Sequence, residues 1–118
     1  MLPSLQSIEA AALVARRYCP PTPQYAWPQL AQMLGTEVWI KHENHTPVGA
    51  FKLRGGLTYI NALQQREPGC CEVISATRGN HGQSIGYAAR LHGLRATIVV
   101  PHGNSREKNA AMRSLARR

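Results

Sequence analysis

The stretch EVISATRGNHGQSIGYAARLHGLRATIVV, residues 72–100, places a helical pattern between two runs rich in β-branched residues. EVISA predicts a short strand, TRGN a tight loop, and residues 80–92 a helix closed by Gly93. RATIVV, residues 95–100, is typical of a strand that is covered on both faces. This order predicts two parallel strands joined by a right-handed helical crossover.

The chain before this unit also reads as short helices and strands. Helical spacing extends from about Ser4 to Arg17, and CPPTPQ at residues 19–24 ends it because proline cannot continue a helix. A second short helix is predicted over Pro28–Leu34, with Gly35 as its stop. The alternation in EVWIKHE, residues 37–43, predicts a strand.

From Phe51 onward the spacing is helical again, and four apolar residues line one side: Leu53, Leu57, Ile60 and Leu63. After the second strand, Asn104 or Ser105 is expected to cap a last helix that runs towards Arg118. Three strands that alternate with helices predict an α/β fold with a layer of parallel strands.

Composition permits one domain with a modest core, since 43% of the 118 residues are hydrophobic. There are 14 basic and 6 acidic residues, which give a net charge of +8. Such a charge suits nucleic acid, phosphorylated cofactors or acidic partners. The basic residues are scattered, however, with adjacent pairs only at 16–17 and 117–118, so a solvated basic surface is the plainer interpretation.

Cysteine usage and hydropathy indicate a cytoplasmic protein. The three cysteines, two of them adjacent, make a poor disulfide framework and favour a reducing compartment. No Cys/His spacing indicates a metal site, and no apolar run has membrane-spanning length. The first residues lack a basic segment and contain Glu9, so they are typical of an amphipathic helix rather than a signal peptide.

The stretch PVGAFKLRGG, residues 47–56, places Lys52 in the first turn of a predicted helix. Unpaired N–H groups and the helix dipole disfavour an ammonium there, so we expect a neutral amine able to form a Schiff base with a carbonyl. Gly55 and Gly56 each cost about 1 kcal/mol relative to alanine inside a helix, so the backbone is expected to approach something bulky there. The alternative is a surface lysine that snorkels at a helix start.

The stretch SATRGNHGQS, residues 75–84, lies between a strand and a helix, where open α/β sheets bind ligands. Gly79 and Gly82 permit tight turning, and the N–H groups around residues 80–82 would bind a carboxylate or a phosphate. The spacing is neither that of a dinucleotide-binding loop nor that of a P-loop. Alternatives remain open, with Asn80 as a helix cap and His81 as an exposed polar residue.

Together, KHENHTPVGAFKLRGG and SATRGNHGQSIGYAARLHGLRATIVVPHGNSREKNAAMRSL resemble the fold-type II pyridoxal-phosphate enzymes. The most similar group is the threonine/serine dehydratases with the related serine racemases, and the resemblance covers roughly residues 5–115. F-K-x-R-G followed by G-N-H-G-Q is a specific combination. It implies an incomplete parallel-stranded three-layer α/β fold of the tryptophan synthase β kind, with pyridoxal 5′-phosphate as the cofactor.

Carried over by position, the resemblance implies that Lys52 is the catalytic lysine that forms the Schiff base with the cofactor. It implies that Phe51 packs beside the cofactor ring, that Asn80 contacts the ring's 3′-oxygen, and that the two glycines let the helix lie close to the ring. The implied reaction converts a small hydroxy amino acid into a 2-oxo acid and ammonia, with Lys52 removing the Cα proton. The segment that matches the substrate-binding loop contributes Thr77, Arg78, Gly79, Asn80, His81 and Gln83.

Arg78 departs from the family pattern, which has serine or alanine before this Gly-Asn pair. Because serine there is the second proton carrier of racemases, Arg78 argues against efficient racemisation. The Arg78 side chain could bind a second carboxylate of the substrate, or it could point to solvent, and both alternatives stay open. Threonine, serine and 3-hydroxyaspartate all fit the visible loops. Ala50, in place of the common serine, is a milder departure.

The family's glycine-rich phosphate loop is expected beyond residue 118, as is the residue that meets the pyridine nitrogen. The resemblance therefore implies the N-terminal part of a longer enzyme, a truncated form. Residues 1–45 would pack on a missing large domain, and residues 46–118 would form a small α/β domain with the lysine and the substrate loop. We expect the isolated chain to bind cofactor weakly and to turn over little.

Two other classes of function are compatible with the sequence. A non-catalytic remnant would expose the apolar face of its N-terminal segment and form homo-oligomers or aggregates. A basic binding module would attach to an acidic partner or to nucleic acid. Aromatic residues make up 6% of the chain and show no stacking pattern, so we expect no specific nucleic-acid partner. No membrane partner is expected either.

Overall fold

Helices and short strands alternate between Leu5 and Ala116. Among residues 2–116, which the computed structural model describes, no helix combines the length and apolar character needed to cross a bilayer. A 3-10 turn spans Glu43–His45. The elements are α1 (Leu5–Arg16), β1 (Gln24–Ala26), α2 (Pro28–Leu34), β2 (Trp39–Lys41), α3 (Lys52–Arg66), β3 (Glu72–Ala76), α4 (Asn80–Leu91), β4 (Arg95–Val99) and α5 (Arg106–Ala116).

The predicted strand–helix–strand unit is confirmed as β3–α4–β4. The two strands pair in parallel, with Glu72 opposite Arg95 and Ala76 opposite Val99. Gly93 follows α4 with a φ of 73°, a left-handed conformation that glycine adopts without strain. The carboxyl end of β3 therefore leads directly into the turn before α4, where the predicted ligand loop lies.

One face of the β3–β4 pair is covered and the other is open. Half-buried and exposed residues alternate along both strands. Ala96 packs against the core, while Ile74 is 73% exposed and Val99 is 49% exposed. The expectation that residues 95–100 are covered on both faces is therefore wrong, because α4 and α5 pack against the side that carries Ala96 and Ile98.

The strand predicted at residues 37–43 lies outside the parallel pair. It shortens to β2, which pairs antiparallel with the unpredicted β1, and Tyr25 lies opposite Ile40. The expectation that this strand joins the parallel layer is therefore wrong. Pro23 and Pro28 favour extended backbone around β1, which offers β2 a partner close in sequence and so a small loop-closure cost.

The core gathers along the inner side of α3. Leu53, Leu57 and Ile60 are completely buried, and Leu63 is 6% exposed, as the helical spacing predicts. Full burial of each such side chain stabilises the fold by about 1.5–3 kcal/mol. Ala88 of α4, also fully buried, belongs to the same cluster. This packing holds α3 against α4, the two helices whose first turns carry the predicted site residues.

Candidate active site

Helix α3 begins at Lys52, and a buried threonine shapes the loop before it. Thr46 Oγ1 donates to Ala50 O and accepts from Ala50 N, both at 2.9 Å. Gly49 N donates to Thr46 O at 2.8 Å, and Gly49 has a φ of 65°. The loop closes on itself and leads straight into Phe51 and Lys52. Sequence reasoning missed Thr46, although a threonine ahead of Pro-Val-Gly is a signal for such a turn.

The Lys52 side chain lies at the border of a cavity of about 710 Å³. The residue is exposed, and its Nζ lies 5.5 Å from the centre of the Phe51 ring, within the range of a cation–π contact. Gly55 and Tyr59 continue the wall along α3. His81 lines the same cavity from the first turn of α4. The structure therefore brings Lys52 and His81, which are distant in sequence, to one cavity.

The other predicted residues differ in their placement. Arg78 and Asn80 are exposed, whereas Gly79 is buried. They precede His81 in the chain by one to three residues. Their roles towards cofactor and substrate remain predictions. Within the part of the chain that the structure describes, six predicted residues do not line the cavity: Phe51, Thr77, Arg78, Gly79, Asn80 and Gln83.

Main-chain and hydroxyl hydrogen bonds hold the turn at residues 77–83. Thr77 N donates to Val99 O at 2.9 Å, and Gly79 N donates to Thr77 Oγ1 at 3.2 Å. Gln83 N donates to Gly79 O at 3.1 Å. The Gln83 N–H group is the first in α4 that has an acceptor in its own helix. The N–H groups of residues 80–82 have no such acceptor, and they lie at the positive end of the helix dipole. Such a helix start can bind a carboxylate or a phosphate.

Gly82 lets the start of α4 pack closely on its neighbours. A Cβ at this position would lie 2.5 Å from both Met112 Sδ and Thr77 Cγ2, and 3.0 Å from Ile98 Cγ2. A larger residue would therefore push α4 away from α5 and β4. Thr77 thus shapes the turn twice, through its methyl group at Gly82 and through its hydroxyl.

Gly55 and Gly56 have different surroundings. A Cβ at Gly55 would meet no atom within 4 Å, so this residue leaves open space on the cavity wall. A Cβ at Gly56 would collide with Ser84 Oγ and would lie 3.0 Å from Ser84 O. The expected bulky neighbour is therefore present at Gly56, but it is helix α4. Gly56 also lines the cavity, and the close approach of both glycines to a cofactor ring stays a prediction.

A charged cluster that sequence reasoning missed ties the start of α3 to the N-terminal segment. Arg54 donates to Glu43 twice, from Nε to Oε2 at 2.8 Å and from Nη2 to Oε1 at 3.0 Å. Thr22 Oγ1 donates to Glu43 Oε1 at 2.6 Å, and Lys41 Nζ lies 3.6 Å from that oxygen. The hydrogen bonds from Arg54 lower the pKa of Glu43 to about 2, with a smaller effect from Thr22, against the opposing effect of burial.

Known proteins are similar to this chain in sequence and in fold. A family model described as "Pyridoxal-phosphate dependent enzyme" matches residues 15–118. The "L-threonine dehydratase biosynthetic IlvA" of Haemophilus influenzae is 38% identical over 94 residues, which are 80% of this chain and 18% of that protein. A "Putative threonine dehydratase" of Sinorhizobium fredii is 37% identical over 114 residues, which are 95% of this chain and 33% of that protein.

The fold has a counterpart among solved structures as well. Maize serine racemase superimposes with a TM-score of 0.89 at 28% identity, over 100% of this chain and 36% of that one. The predicted α/β fold of the fold-type II enzymes is thus confirmed. The chain spans 18% to 36% of the length of these three proteins. With the family match covering most of its residues, this chain belongs to the pyridoxal-phosphate dependent enzymes.

Proposed function

We propose that this chain carries the reactive lysine of a lyase that converts a small hydroxy amino acid into a 2-oxo acid and ammonia. The observation that carries the proposal is the meeting of Lys52, at the start of α3, and His81, at the start of α4, on one cavity. The relatives named as threonine dehydratases support a hydroxy amino acid as the substrate.

The residues around the cavity fit pyridoxal 5′-phosphate. Lys52 offers a primary amine in an exposed position that an aldehyde can reach. Gly55 leaves open space beside it, which a flat ring can occupy. Two carboxylates also border the cavity, Glu67 and Glu72, and each forms an ion pair with an arginine at 3.0 Å. Their charges are therefore balanced, which suits a cofactor that is itself an anion.

Each residue near the lysine has a role in this proposal. When bound, pyridoxal phosphate supplies an aldehyde that amines attack and a ring that withdraws electrons. Lys52 Nζ would hold the cofactor covalently, and the free amine would accept the proton from the substrate Cα. Phe51 would pack beside the ring, and Asn80 would donate to the ring's oxygen substituent.

The start of α4 holds the substrate carboxylate in this proposal. The N–H groups of residues 80–82 are donors at the positive end of the helix, and they belong to the turn that runs from Thr77 to Gln83. The substrate loses its β-hydroxyl as water and gains water again when its C–N bond is hydrolysed. The products are a 2-oxo acid and ammonia, and no external oxidant or reductant is needed.

Covalent trapping tests the assignment of Lys52. The chain has three lysines, Lys41, Lys52 and Lys108, so each serves as an internal reference for the others. After incubation with pyridoxal phosphate and reduction with borohydride, peptide mapping should find most of the pyridoxyl label on Lys52. Lys52→Ala should remove that label, whereas Lys41→Arg, the matched control, keeps the charge near Glu43 and should leave the label in place. Equal labelling of all three lysines would contradict the proposal.

A further inference from the structure

We propose that Ser84 is a positioning residue, which holds the main chain of Lys52 at a fixed separation from the turn that binds the substrate carboxylate. The inference rests on the function proposed above for Lys52 and for the turn at residues 77–83. It starts from one buried hydrogen bond between α3 and α4.

Ser84 Oγ donates to Lys52 O at 2.7 Å, and Ser84 is 0% exposed. In an α-helix the carbonyl of residue i accepts from the N–H of residue i+4, which is Gly56 for Lys52. A carbonyl oxygen has two lone pairs, and Ser84 uses the second. The peptide group of the reactive lysine is therefore held both by its own helix and by α4.

The absence of a side chain at Gly56 makes this bond possible. A Cβ there would collide with Ser84 Oγ and would also lie 3.0 Å from the Ser84 carbonyl oxygen and 3.1 Å from its carbon. The two helices are therefore in backbone contact at this point. Neither helix can slide along the other without breaking the hydrogen bond or meeting this steric limit.

Ser84 connects this contact to the substrate turn because it lies one helical turn after Asn80. Residues i and i+4 share a helix face, and a rise of 1.5 Å per residue puts them about 6 Å apart along the axis. The amine of Lys52 and the N–H groups of residues 80–82 thus take their positions from a common contact. Proton transfer depends strongly on such separations, since a misplacement of about 1 Å can slow a reaction about 100-fold.

The loss of the hydroxyl should leave the fold in place. In Ser84→Ala, Lys52 O keeps the hydrogen bond from Gly56 N, so no buried carbonyl is left without a donor. The helices keep their buried leucine contacts. The variant is therefore expected to fold with a modest loss of stability and to show its main defect in the reactivity of Lys52.

The experiment measures how fast pyridoxal phosphate attaches to Lys52. Attachment is trapped with borohydride over a range of cofactor concentrations, with Lys41 in the same molecule as reference. In Ser84→Ala the limiting rate at Lys52 should fall about fivefold, with the half-saturating concentration unchanged, because an ordinary hydrogen bond is lost. Ser114→Ala is the matched control, since Ser114 is an exposed residue of α5 whose Oγ donates to Ala111 O at 2.9 Å, and it should change neither quantity.

A double variant separates the hydrogen bond from the collision with Ser84 Oγ. Gly56→Ala with Ser84→Gly removes that collision, keeps a Cβ 3.0 Å from the main-chain oxygen of residue 84 and lacks the bond, so attachment of the cofactor to Lys52 should stay slow. A folded Ser84→Ala chain with an unaltered rate at Lys52 overturns the inference and leaves the proposed function intact. If Ser84→Ala does not fold, Ser84→Cys replaces it, because its thiol fills the space of the hydroxyl but is only a weak donor, and an unaltered rate overturns the inference there too. Absence of any Lys52 preference in the unaltered chain removes the proposed function and this inference together.

Discussion

Arg54 and Glu43 form an ion pair with two hydrogen bonds, at 2.8 Å and 3.0 Å, that joins the first turn of α3 to the 3-10 turn before it. The side chains are 28% and 19% exposed, so the pair is largely shielded from water. Bidentate pairs between arginine and a carboxylate are geometrically specific as well as strong. This pair anchors the start of α3 from the N-terminal side, while Ser84 anchors it from α4.

Acid should weaken the fold through Glu43. Its pKa is lowered from 4.5 to about 2, so between these values the folded chain binds fewer protons there than the unfolded chain. The contribution of Glu43 to stability is therefore complete above pH 4.5 and is lost as pH falls towards 2. Glu43→Gln should lower the free energy of unfolding by about 1–3 kcal/mol near neutral pH and flatten its dependence on acid.

Urea denaturation at several pH values measures this effect. Glu67→Gln is the control. The side chains of Arg66 and Glu67 are 64% and 56% exposed, so their ion pair should contribute little to the free energy of unfolding. If Glu43→Gln keeps the acid sensitivity of the unaltered chain, the Arg54–Glu43 pair is not its source.

Alanine at the two adjacent glycines should have opposite effects. In Gly55→Ala the new Cβ would have no neighbouring atom within 4 Å, and alanine has the higher helix propensity. This substitution should therefore stabilise the fold by about 0.5–1 kcal/mol. Gly56→Ala drives a methyl group into Ser84 and should destabilise it by about 1–3 kcal/mol. Thermal denaturation followed by circular dichroism compares the two. Equal effects of the two substitutions would contradict the close contact at Gly56.

The three cysteines should react with iodoacetamide in a fixed order. Burial raises the pKa of Cys19, which is 1% exposed, so little thiolate is present at neutral pH and access is poor. Cys71 is exposed and Cys70 is half-buried. Mass spectrometry of timed samples should find the label on Cys71 first and on Cys19 last. In urea the order should disappear, and rapid labelling of Cys19 in the folded chain would contradict its burial.

The apolar surface of the N-terminal segment should cause self-association. Met33, Leu34 and Trp39 are 80%, 66% and 56% exposed, as expected if residues 1–45 pack on a further domain, which remains a prediction. Met33→Gln combined with Leu34→Gln should reduce the concentration-dependent increase in sedimentation coefficient without lowering stability. Thr36→Gln, at an exposed polar neighbour, is the control. Monomeric sedimentation of the unaltered chain at high concentration would contradict this prediction.

Local signals predicted the elements that depend on a few adjacent residues. Proline at the start of α2 and Gly35 after it, with a φ of 68°, bound that helix as expected. Ser105 Oγ accepts from Lys108 N at the start of α5, which confirms a predicted cap. The spacing of Leu53, Leu57 and Ile60 predicted the buried side of α3. The partner of β2 was not predictable in this way, because pairing between strands depends on which extended segments meet in space.

The sequence by itself determined where the chemistry lies, since the helix start at Lys52 and the glycine turn before α4 follow from short-range preferences and from motifs shared with a family. Only the tertiary structure decided what these elements contact. The partners in the Ser84–Lys52 bond are 32 residues apart, and those in the Arg54–Glu43 pair are 11 apart. Such contacts depend on how whole helices pack, and burial of the α3 side chains against α4 sets that packing. Propensities that act over one or two helical turns carry no information about it.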